Sequence, residues 1–341
     1  MNETMLSVLV VTVTAVVAFL ITWGSGYRLV PMLHRLKFGQ TIREVGPAWH
    51  KNKQGTPTMG GVMFILGFAA ALGLSCLVCE LFLAVKPLTQ TPQILVRMLS
   101  GFALTLSCGF IGFADDYIKV VKKRNLGLTA TQKMALQLIA AACYAVVMYF
   151  YGGAGDIVIP FTTIKFGFWI IPLCIFFAVG FPNATNLTDG VDGLCGSITV
   201  VATCAMSMAA LALGYFGMGL MAITFAGAMV GFLMWNLHPA KVFMGDTGSL
   251  LIGGVLCALA FGIEKPFLLL PVGVMYIIET LSVMMQVGYF KLTHGKRLFK
   301  MSPIHHHFEM CGWSENKIVA VFSMITALCG GGGVMLVVLL K

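Results

Sequence analysis

Charged side chains are scarce in this sequence, making up 10% of its 341 residues against 58% for hydrophobic ones. A soluble domain would carry about 25% charged residues, so an ordinary soluble fold is excluded. Weakly alternating segments of about ten residues are also missing, which excludes a membrane β-barrel. The ten cysteines show neither disulfide nor zinc spacing, and Cys76 and Cys79 are interpreted as packing residues.

Long apolar segments are what the sequence has instead. Backbone polar groups find no water partner in lipid, so each such segment is predicted to be a helix. The ten segments are Met5–Trp23, Gly60–Phe82, Ile94–Phe113, Met134–Tyr151, Gly167–Phe181, Leu194–Leu213, Met218–Asn236, Gly248–Phe261, Leu268–Phe290 and Val319–Leu340. The predicted fold class is therefore an all-α integral membrane protein of about ten transmembrane helices, with residues 1–341 as one polytopic domain. The first segment lacks a basic flank, which favours a retained helix over a signal peptide.

Lysine and arginine are unevenly distributed between the two sides of this predicted bundle. Seventeen of the 22 fall in the loops on one side, which predicts that this side is cytoplasmic and that both termini are extracytoplasmic. Five of six aspartates and all seven histidines fall on the same side, although the positive-inside rule does not govern them. We therefore predict an active-site cleft on the cytoplasmic face, with ordinary loop polarity as the alternative.

Two adjacent carboxylates stand at the end of the third segment, in GFADDYIKVVKKR. Asp115 and Asp116 at a membrane boundary repel each other unless a cation or a proton lies between them. Mg²⁺ is the natural candidate because it takes oxygen ligands and substrate phosphates. Lys119 follows Asp115 by one helical turn, so the alternative is a solvated helix end with an ion pair.

The segment FPNATNLTDGVDGLCG, residues 181–196, is rich in Asn, Asp, Thr and Gly. Pro182 is predicted to end the fifth helix. Asn186, Asp189 and Asp192 are spaced by three, so one helical turn would align them. The alternative is a polar connector without a chemical role.

A second glycine-containing segment, WNLHPAKVFMGDTGSL, covers residues 235–250. Gly245, Gly248 and Ser249 would let the backbone approach an anion, and Asp246 could bind the metal of that anion. A helix predicted to begin near Gly248 would direct its N-terminus at the same anion. Phe243 could stack on a flat base.

Two further polar segments remain. In KNKQGTPTMGG, Lys51 and Lys53 suit phosphate binding, although charge sorting alone could account for them. In MSPIHHHFE, three consecutive histidines cannot easily bind one metal, because neighbouring side chains on a helix or strand point in different directions. They suit a polar rim that donates hydrogen bonds and exchanges protons.

Taken together, these motifs resemble the polyprenyl-phosphate N-acetylhexosamine-1-phosphate transferases. The resembling stretches are KQGTPTMGG (53–61), FADDYIK (113–119), NATNLTDGVDGL (183–194), NLHPAKVFMGDTGS (236–249) and SPIHHHFE (302–309), in the order of that family. The HHHFE run is similar to the branch whose donor is UDP-MurNAc-pentapeptide. The resemblance implies a Mg²⁺-dependent homodimer of the bacterial inner membrane that transfers phospho-MurNAc-pentapeptide to undecaprenyl phosphate, releasing UMP and lipid I, with no nucleic-acid partner.

The motifs and the resemblance together assign candidate site residues. Catalytic roles are expected for Asp115, Asp116, Asp246, His305, His306 and His307, with Asp246 and Asp116 as metal ligands. Substrate contacts are expected for Lys53, Thr58, Lys119, Lys133, Asn186, Leu187, Asp189, Asp192, Asn236, Phe243, Gly245, Ser249 and Gln286. Direct attack by the lipid phosphate, with Asp115 as base, is favoured over a covalent aspartyl route. A UDP-GlcNAc transferase and a transporter remain as alternative functions.

Overall fold

The computed structural model describes residues 3–36, 55–83, 91–122, 126–159 and 162–339. Helices dominate these ranges, which confirms the all-α class. They are α1 (Glu3–Arg35), α2 (Gly61–Phe82), α3 (Pro92–Val121), α4 (Ala130–Phe150), α5 (Ile170–Thr188), α6 (Leu194–Ala212), α7 (Phe216–Asn236), α8 (Gly245–Gly262), α9 (Leu269–Val272), α10 (Val274–Leu292), α11 (Ile304–Glu309) and α12 (Glu315–Leu339). Short 3-10 turns precede α5 at Gly167–Trp169 and α9 at Pro266–Leu268.

Nine helices in the described ranges are long and apolar enough to span a membrane, and the bent pair α9–α10 would make a tenth. This confirms the predicted number of transmembrane segments. Several helices extend beyond their apolar core, since α1 continues to Arg35 and α3 to Val121. Hydropathy detects only the apolar part of a helix, whereas the helix itself continues for as long as its backbone hydrogen bonds are made.

The ninth predicted segment, Leu268–Phe290, is not one straight helix. A break at Gly273 bends α10 by 78° from the preceding helical stretch Pro266–Val272. Pro271 lacks an N–H, and a Cβ on Gly273 would crowd the Phe181 ring and the Leu269 carbonyl oxygen. Beyond the break, the Tyr276 hydroxyl lies 2.8 Å from Thr199 Oγ1, which attaches α10 to α6.

The prediction that Pro182 ends the fifth helix is wrong, because α5 continues to Thr188. Proline removes one helical hydrogen bond, but close packing on α8 retains the helix at this point. A Cβ on Gly253 of α8 would overlap Pro182, so the two backbones approach closely. Thr185 Oγ1 also donates to the Phe181 carbonyl (2.9 Å), within the same turn of α5.

Helix α8 forms the centre of the bundle and determines where the site lies. All of its residues from Thr247 to Gly262 are buried, and it packs against α3 and α5. The crossing with α3 is close because Gly112 has no side chain there: a Cβ would overlap the Asp246 carbonyl. A second close crossing joins Gly61 of α2 to Gly248. The N-terminal turn of α8 is therefore held beside the polar end of α3.

A small hairpin joins α4 to α5, and the sequence analysis did not predict it. Strand β1 (Asp156–Ile159) pairs antiparallel with β2 (Thr162–Lys165), with Asp156 opposite Lys165. Four-residue strands lie at the short end of the range seen in proteins, so they leave little pattern in a sequence. The hairpin lies at the end of α4 opposite Lys133, away from the residues predicted to form the site.

Candidate active site

Three carboxylates meet where α3 crosses the first turn of α8. Oxygens of Asp115, Asp116 and Asp246 all lie within 4.8 Å of one another, and we call these residues the α3–α8 cluster. Asp115 and Asp116 are each only 3% exposed. Three buried carboxylates at this separation repel one another strongly unless cations lie among them.

Different neighbouring groups hold one oxygen of each of the two adjacent aspartates. Leu128 N–H, just before α4, donates to Asp115 Oδ1 (2.8 Å). Asp116 Oδ2 accepts from the backbone N–H (2.9 Å) and the hydroxyl (2.7 Å) of Thr247 on α8. Adjacent residues do not share a helix face, yet Asp246 comes close to both because the start of α8 packs directly on α3 at Gly112.

Two lysines supply the positive charge that this cluster needs. Lys119 Nζ pairs with Asp115, donates to Asp246 Oδ2 (2.9 Å) and lies 3.7 Å from Asp116 Oδ1. Lys133 Nζ, from α4, donates to the same Asp246 oxygen (3.0 Å). The ion pair of Asp115 and Lys119, which the sequence analysis gave as part of the alternative, is present, but Asp115 is buried rather than solvated. Two ammonium groups facing three carboxylates leave one formal negative charge in a mostly buried site.

The polar end of α5 completes the surroundings of Asp246. Asn186 Nδ2 donates both to Asp246 Oδ1 (2.7 Å) and to Ser249 Oγ (2.8 Å). Thr185 Oγ1 donates to the Ser249 carbonyl (2.7 Å), which fixes α5 against α8. The structure therefore brings Asn186 and Ser249 to the cluster, as their motifs predicted.

The loop before α2 runs beside the start of α8. Phe243 N–H donates to the Pro57 carbonyl, and Gly60 N–H donates to the Phe243 carbonyl, both at 2.8 Å. Gly245 has a φ of +70°, and a Cβ there would lie 2.7 Å from Thr58 Oγ1 and 2.5 Å from Asp116 Oδ2. Only glycine fits this position, and α8 begins here rather than near Gly248 as predicted. Lys53, predicted to bind phosphate, lies outside the described residues.

The donor set of the α3–α8 cluster fits Mg²⁺. All the side-chain ligand atoms are carboxylate oxygens, which Mg²⁺ prefers, and no imidazole or thiol is among them. One Asp116 oxygen is committed to Thr247, whereas both lysines on Asp246 are long side chains that can move aside. Asp246 and Asp116 are therefore able to hold a divalent cation here.

The predicted alignment of Asn186, Asp189 and Asp192 is wrong, because α5 ends at Thr188. Asp189 follows directly and is half-buried. Burial, together with the negative charges of Asp246, Asp116 and Asp192, raises the pKa of Asp189 to about 8. Asp189 therefore experiences the field of the α3–α8 cluster, which would favour a cation nearby.

Asp192 belongs to a different group, together with His238 and Glu315, which we call the second cluster. Asp192 Oδ2 lies 3.0 Å from His238 Nδ1 and accepts from the Ala240 backbone N–H (3.0 Å). Asp192 N–H in turn donates to Glu315 Oε2 (3.0 Å). The sequence analysis missed His238 and Glu315, since 46 and 123 residues separate them from Asp192 and no local spacing joins them.

The remaining nucleotide-site candidates lie on the segment between α7 and α8 or close to it. Asn236 is buried, its Oδ1 accepting from Gly193 N–H (3.1 Å) and its Nδ2 donating to the Val242 carbonyl (2.9 Å). It therefore connects two loops. Phe243 and Leu187 are half-exposed. The half-exposed Phe243 ring keeps surface available for stacking.

The histidine run forms a short helix, α11, rather than an extended rim. His305 is fully buried, with Nδ1 3.1 Å from Glu279 Oε1 of α10. A Cβ on Gly190 would overlap His305 Nε2, so the imidazole packs on the turn that follows Asp189. His306 Nδ1 lies 2.6 Å from Glu309 Oε2.

His307 and Gln286 contact the loop that precedes α11. His307 Nδ1 accepts from Lys300 N–H (3.2 Å). Gln286 Oε1 accepts from the N–H groups of Leu298 (3.0 Å) and Phe299 (2.8 Å), and its Nε2 donates to the Phe299 carbonyl (3.2 Å). The Gln286 amide thus holds the backbone of this loop, and its predicted contact with substrate stays a prediction.

Comparison with known proteins gives two matches to family descriptions. Residues 98–263 match glycosyl transferase family 4. Residues 53–65 match phospho-N-acetylmuramoyl-pentapeptide-transferase signature 1. The first match contains all of α8 and the part of α3 that carries Asp115 and Asp116, and the second contains the loop that pairs with Phe243.

Individual relatives are similar over nearly the whole chain. A protein of Clostridium perfringens (strain 13 / Type A) is 45% identical over 320 residues, 93% of this chain and 96% of its own. One from Desulforamulus reducens is 47% identical over 324 residues, 94% of this chain and 93% of its own. One from Halalkalibacterium halodurans is 45% identical over 315 residues, 92% and 93% respectively. All three are named phospho-N-acetylmuramoyl-pentapeptide-transferase.

Proposed function

Because the chain belongs to the phospho-N-acetylmuramoyl-pentapeptide-transferase family, we propose that it transfers phospho-MurNAc-pentapeptide from UDP-MurNAc-pentapeptide to undecaprenyl phosphate. The products are lipid I and UMP, and the reaction is the first membrane step of peptidoglycan synthesis. The observation that carries this proposal is the α3–α8 cluster, three carboxylates and two lysines at one end of membrane-spanning helices. A lipid-borne phosphate and a water-soluble diphosphate would meet at such a position.

The protein is a multi-pass membrane protein, and we place the site on the cytoplasmic face of a bacterial inner membrane. The soluble donor is a cytoplasmic nucleotide sugar in this proposal, so the cluster must open to that side. The excess of Lys and Arg in the loops on the side of the cluster supports this orientation. Both termini would then lie outside, and a homodimer is proposed from the resemblance alone.

Mg²⁺ is the proposed cofactor, held by Asp246 and Asp116 with Asp115 beside them. When bound, it would offset negative charge on the reacting phosphates. Lys119 and Lys133 both donate to Asp246 Oδ2 in the structure. Their ammonium groups would turn to phosphate oxygens when substrates bind. The two lysines then supply part of the electrostatic stabilisation on which phosphoryl transfer depends.

Asp115 is proposed to accept the proton of the lipid phosphate. Its Oδ1 is held by Leu128 N–H, which keeps the carboxylate turned to the α4 side of α3. An oxygen of the lipid phosphate then attacks the sugar-linked phosphorus, and the bond to UMP breaks. A covalent aspartyl phosphate would be the alternative, and its isolation from protein mixed with donor alone would refute direct attack.

On the nucleotide side, Asn186 positions Asp246, and Phe243 presents its half-exposed ring to the uracil base. Asn236 acts by holding the loop that carries Phe243, since it connects Gly193 to Val242. The histidine run is proposed to act around Asp189, because His305 packs on Gly190. Leu187, Gly245 and Thr58 shape the walls of this region.

The test is UMP release by purified protein in detergent, with Mg²⁺ and either UDP-MurNAc-pentapeptide or UDP-GlcNAc. We expect UMP only from the pentapeptide donor and only when undecaprenyl phosphate is present. Release from UDP-GlcNAc instead would retain the mechanism and change the substrate to that of the sister transferases. No release from either donor by folded protein would overturn the enzymatic proposal in favour of transport.

A further inference from the structure

Glu279 is a fully buried acidic residue that has no role in the proposed reaction. It lies on α10 beyond the break at Gly273, and its neighbours Ile277, Ile278 and Leu281 are all apolar. An ionisable side chain inside a membrane-spanning segment is costly, and such residues are mostly functional and paired with another polar group. The partner of Glu279 therefore indicates what this acid does.

That partner is His305, at the start of α11. Glu279 Oε1 lies 3.1 Å from His305 Nδ1, and Glu279 Oε2 accepts from the His305 backbone N–H (3.5 Å). Both side chains are 0% exposed. Removing two ionisable groups from water can cost more than their attraction returns, so apolar residues of similar volume often stabilise a fold at least as well. Stability alone therefore does not explain this pair.

The polar atoms of the Glu279–His305 pair are incompletely satisfied. Among the described residues, neither ring nitrogen of His305 has a hydrogen bond of good geometry, and neither does Glu279 Oε1. The next histidine differs, because His306 Nδ1 lies 2.6 Å from Glu309 Oε2 within the same helix and its side chain is 13% exposed. Buried polar atoms without such bonds are uncommon, and a functional role is one of the few explanations for them.

The Nε2 side of the His305 ring faces the candidate active site. A Cβ on Gly190 would overlap Nε2, so the ring packs directly on the backbone of the turn that follows α5. Gly190 follows Asp189, whose pKa is raised to about 8 by burial and by the charges of Asp246 and Asp116. A displaced His305 ring would therefore shift Asp189 relative to the α3–α8 cluster.

We propose that Glu279 is a positioning residue of the transfer reaction, because it fixes the His305 ring that supports the Asp189–Gly190 turn beside the α3–α8 cluster. This inference rests on the proposed function and adds to it a residue of α10 that is buried away from the substrates. An ionised carboxylate can only accept hydrogen bonds, so Glu279 draws the imidazole proton to Nδ1 and orients the ring. Nε2 then faces the turn.

The first test removes the charge of Glu279 and keeps its shape. We expect Glu279→Gln to lower kcat for UMP release about tenfold, because the turn lies beside the carboxylates that act in the chemical step. The KM for UDP-MurNAc-pentapeptide should stay within about twofold, since Phe243 lies on another segment. An unchanged kcat in folded Glu279→Gln protein would overturn the inference.

The matched control is Glu264→Gln, the same change in another ion pair of the bundle. Glu264 pairs with Arg97 and accepts from the Tyr215 hydroxyl (3.0 Å), beyond the end of α8 opposite the cluster. This variant also loses an ion pair, and it should keep kcat within about twofold of the parent. An equal loss of kcat in both variants would make the effect of Glu279 a general loss of packing, which contradicts a positioning role.

The second test asks whether Glu279 acts through His305. Residues that act as one unit have non-additive effects, so Glu279→Gln should change kcat by less than about twofold in a His305→Ala background. A structural role would not produce this dependence in kcat measured per folded molecule. Independent, multiplicative losses in the two single variants would show that Glu279 acts by another route and would overturn the inference.

The third test measures the contact with the turn and needs no turnover. Gly190→Ala places a Cβ on His305 Nε2 and should lower the melting temperature by several degrees, whereas in a His305→Ala background the same change should cost little. Gly180→Ala is the control, because a Cβ there would meet nothing within 4 Å. An equal loss in both backgrounds would separate His305 from the turn and overturn the inference. Relief by His305→Ala in protein that releases no UMP would contradict the proposed function, and with it the reaction role of Glu279, but not the contact.

Discussion

Two groups of three potential metal ligands stand in the described part of this bundle, and they differ in what holds Asp246 and Asp192. In the α3–α8 cluster, Asp246 Oδ2 is held by the ends of two lysine side chains. In the second cluster, Asp192 Oδ2 is held by a backbone N–H and an imidazole, and Glu315 accepts a backbone N–H. The ammonium groups at Asp246 can be displaced by a cation, whereas the backbone donors to Asp192, like those that hold one oxygen each of Asp115 and Asp116, cannot leave without the fold changing.

The comparison shows that ligand type and distance alone do not define a cofactor site. The second cluster includes an imidazole, yet its members connect the turn after α5, the loop after α7 and the start of α12. These contacts hold three chain segments together, and the predicted contact of Asp192 with substrate stays a prediction. The α3–α8 cluster has net negative charge, which suits Mg²⁺, and removable ammonium groups, which suit a substrate phosphate.

The largest effect is expected from a matched pair of changes, one in each cluster. Asp246→Asn removes the charge that both lysines and a cation need, so kcat should fall about 10³-fold. Glu315→Gln should leave kcat within about threefold, less than 1 kcal/mol in activation free energy. UMP release at saturating substrate measures both. Near-normal turnover of Asp246→Asn at low Mg²⁺ would show that the α3–α8 cluster is not the one on which the reaction depends.

A smaller effect is expected on the segment that joins the two clusters, residues 238–246. Phe243→Ala removes a ring that stacks on the base, and base–aromatic stacking contributes about 1–3 kcal/mol. The KM for UDP-MurNAc-pentapeptide should therefore rise about tenfold with kcat little changed. Phe243→Tyr, which retains the ring, is the control. An unchanged KM in Phe243→Ala would remove Phe243 from the base site.

The second cluster should respond in stability rather than in metal dependence. His238→Ala removes a hydrogen-bond partner of Asp192 Oδ2, and the free energy of unfolding should fall by about 1 kcal/mol. The Mg²⁺ concentration for half-maximal activity should stay the same. Thermal unfolding in detergent and a Mg²⁺ titration of UMP release measure the two quantities. A shifted Mg²⁺ titration without a loss of stability would assign the cation to the second cluster.

A pH-dependent effect is expected at Asp189, because burial raises the pKa of its carboxyl to about 8. A carboxyl with a raised folded-state pKa contributes stability at low pH that is lost as pH rises from its ordinary value to about 8. Asp189→Asn removes this loss, so its melting temperature should exceed that of the parent by more at pH 8 than at pH 5. Added Mg²⁺ should reduce this difference in melting temperature between the variant and the parent. A gap independent of pH would show that Asp189 does not experience the charge of the α3–α8 cluster.

The sequence predicted the class of fold, and it singled out the carboxylates that the fold brings together, for one physical reason. Spanning helices need long apolar runs, and polar residues such as Asp115 and Asp246 stand out at their ends. Two other residues that the motifs singled out, Lys119 and Asn186, also contact Asp246 in the structure.

What the sequence could not predict depends on contacts between distant segments. Pro182 stays inside α5 because α8 packs on it, and Asp192 joins His238 and Glu315 because three loops converge. The break at Gly273 depends likewise on the fit of α10 against α5 and α6. No periodicity within one segment records such contacts, so only the folded chain reveals them.

The most direct test of the account is the binding of a divalent cation without substrates. Mn²⁺, which also prefers oxygen ligands, can be titrated into purified protein and followed by electron paramagnetic resonance. The account predicts a Mn²⁺ site that is lost in Asp246→Asn and retained in Glu315→Gln. A site retained in Asp246→Asn and lost in Glu315→Gln would contradict it, and would place the cation between Asp192, His238 and Glu315.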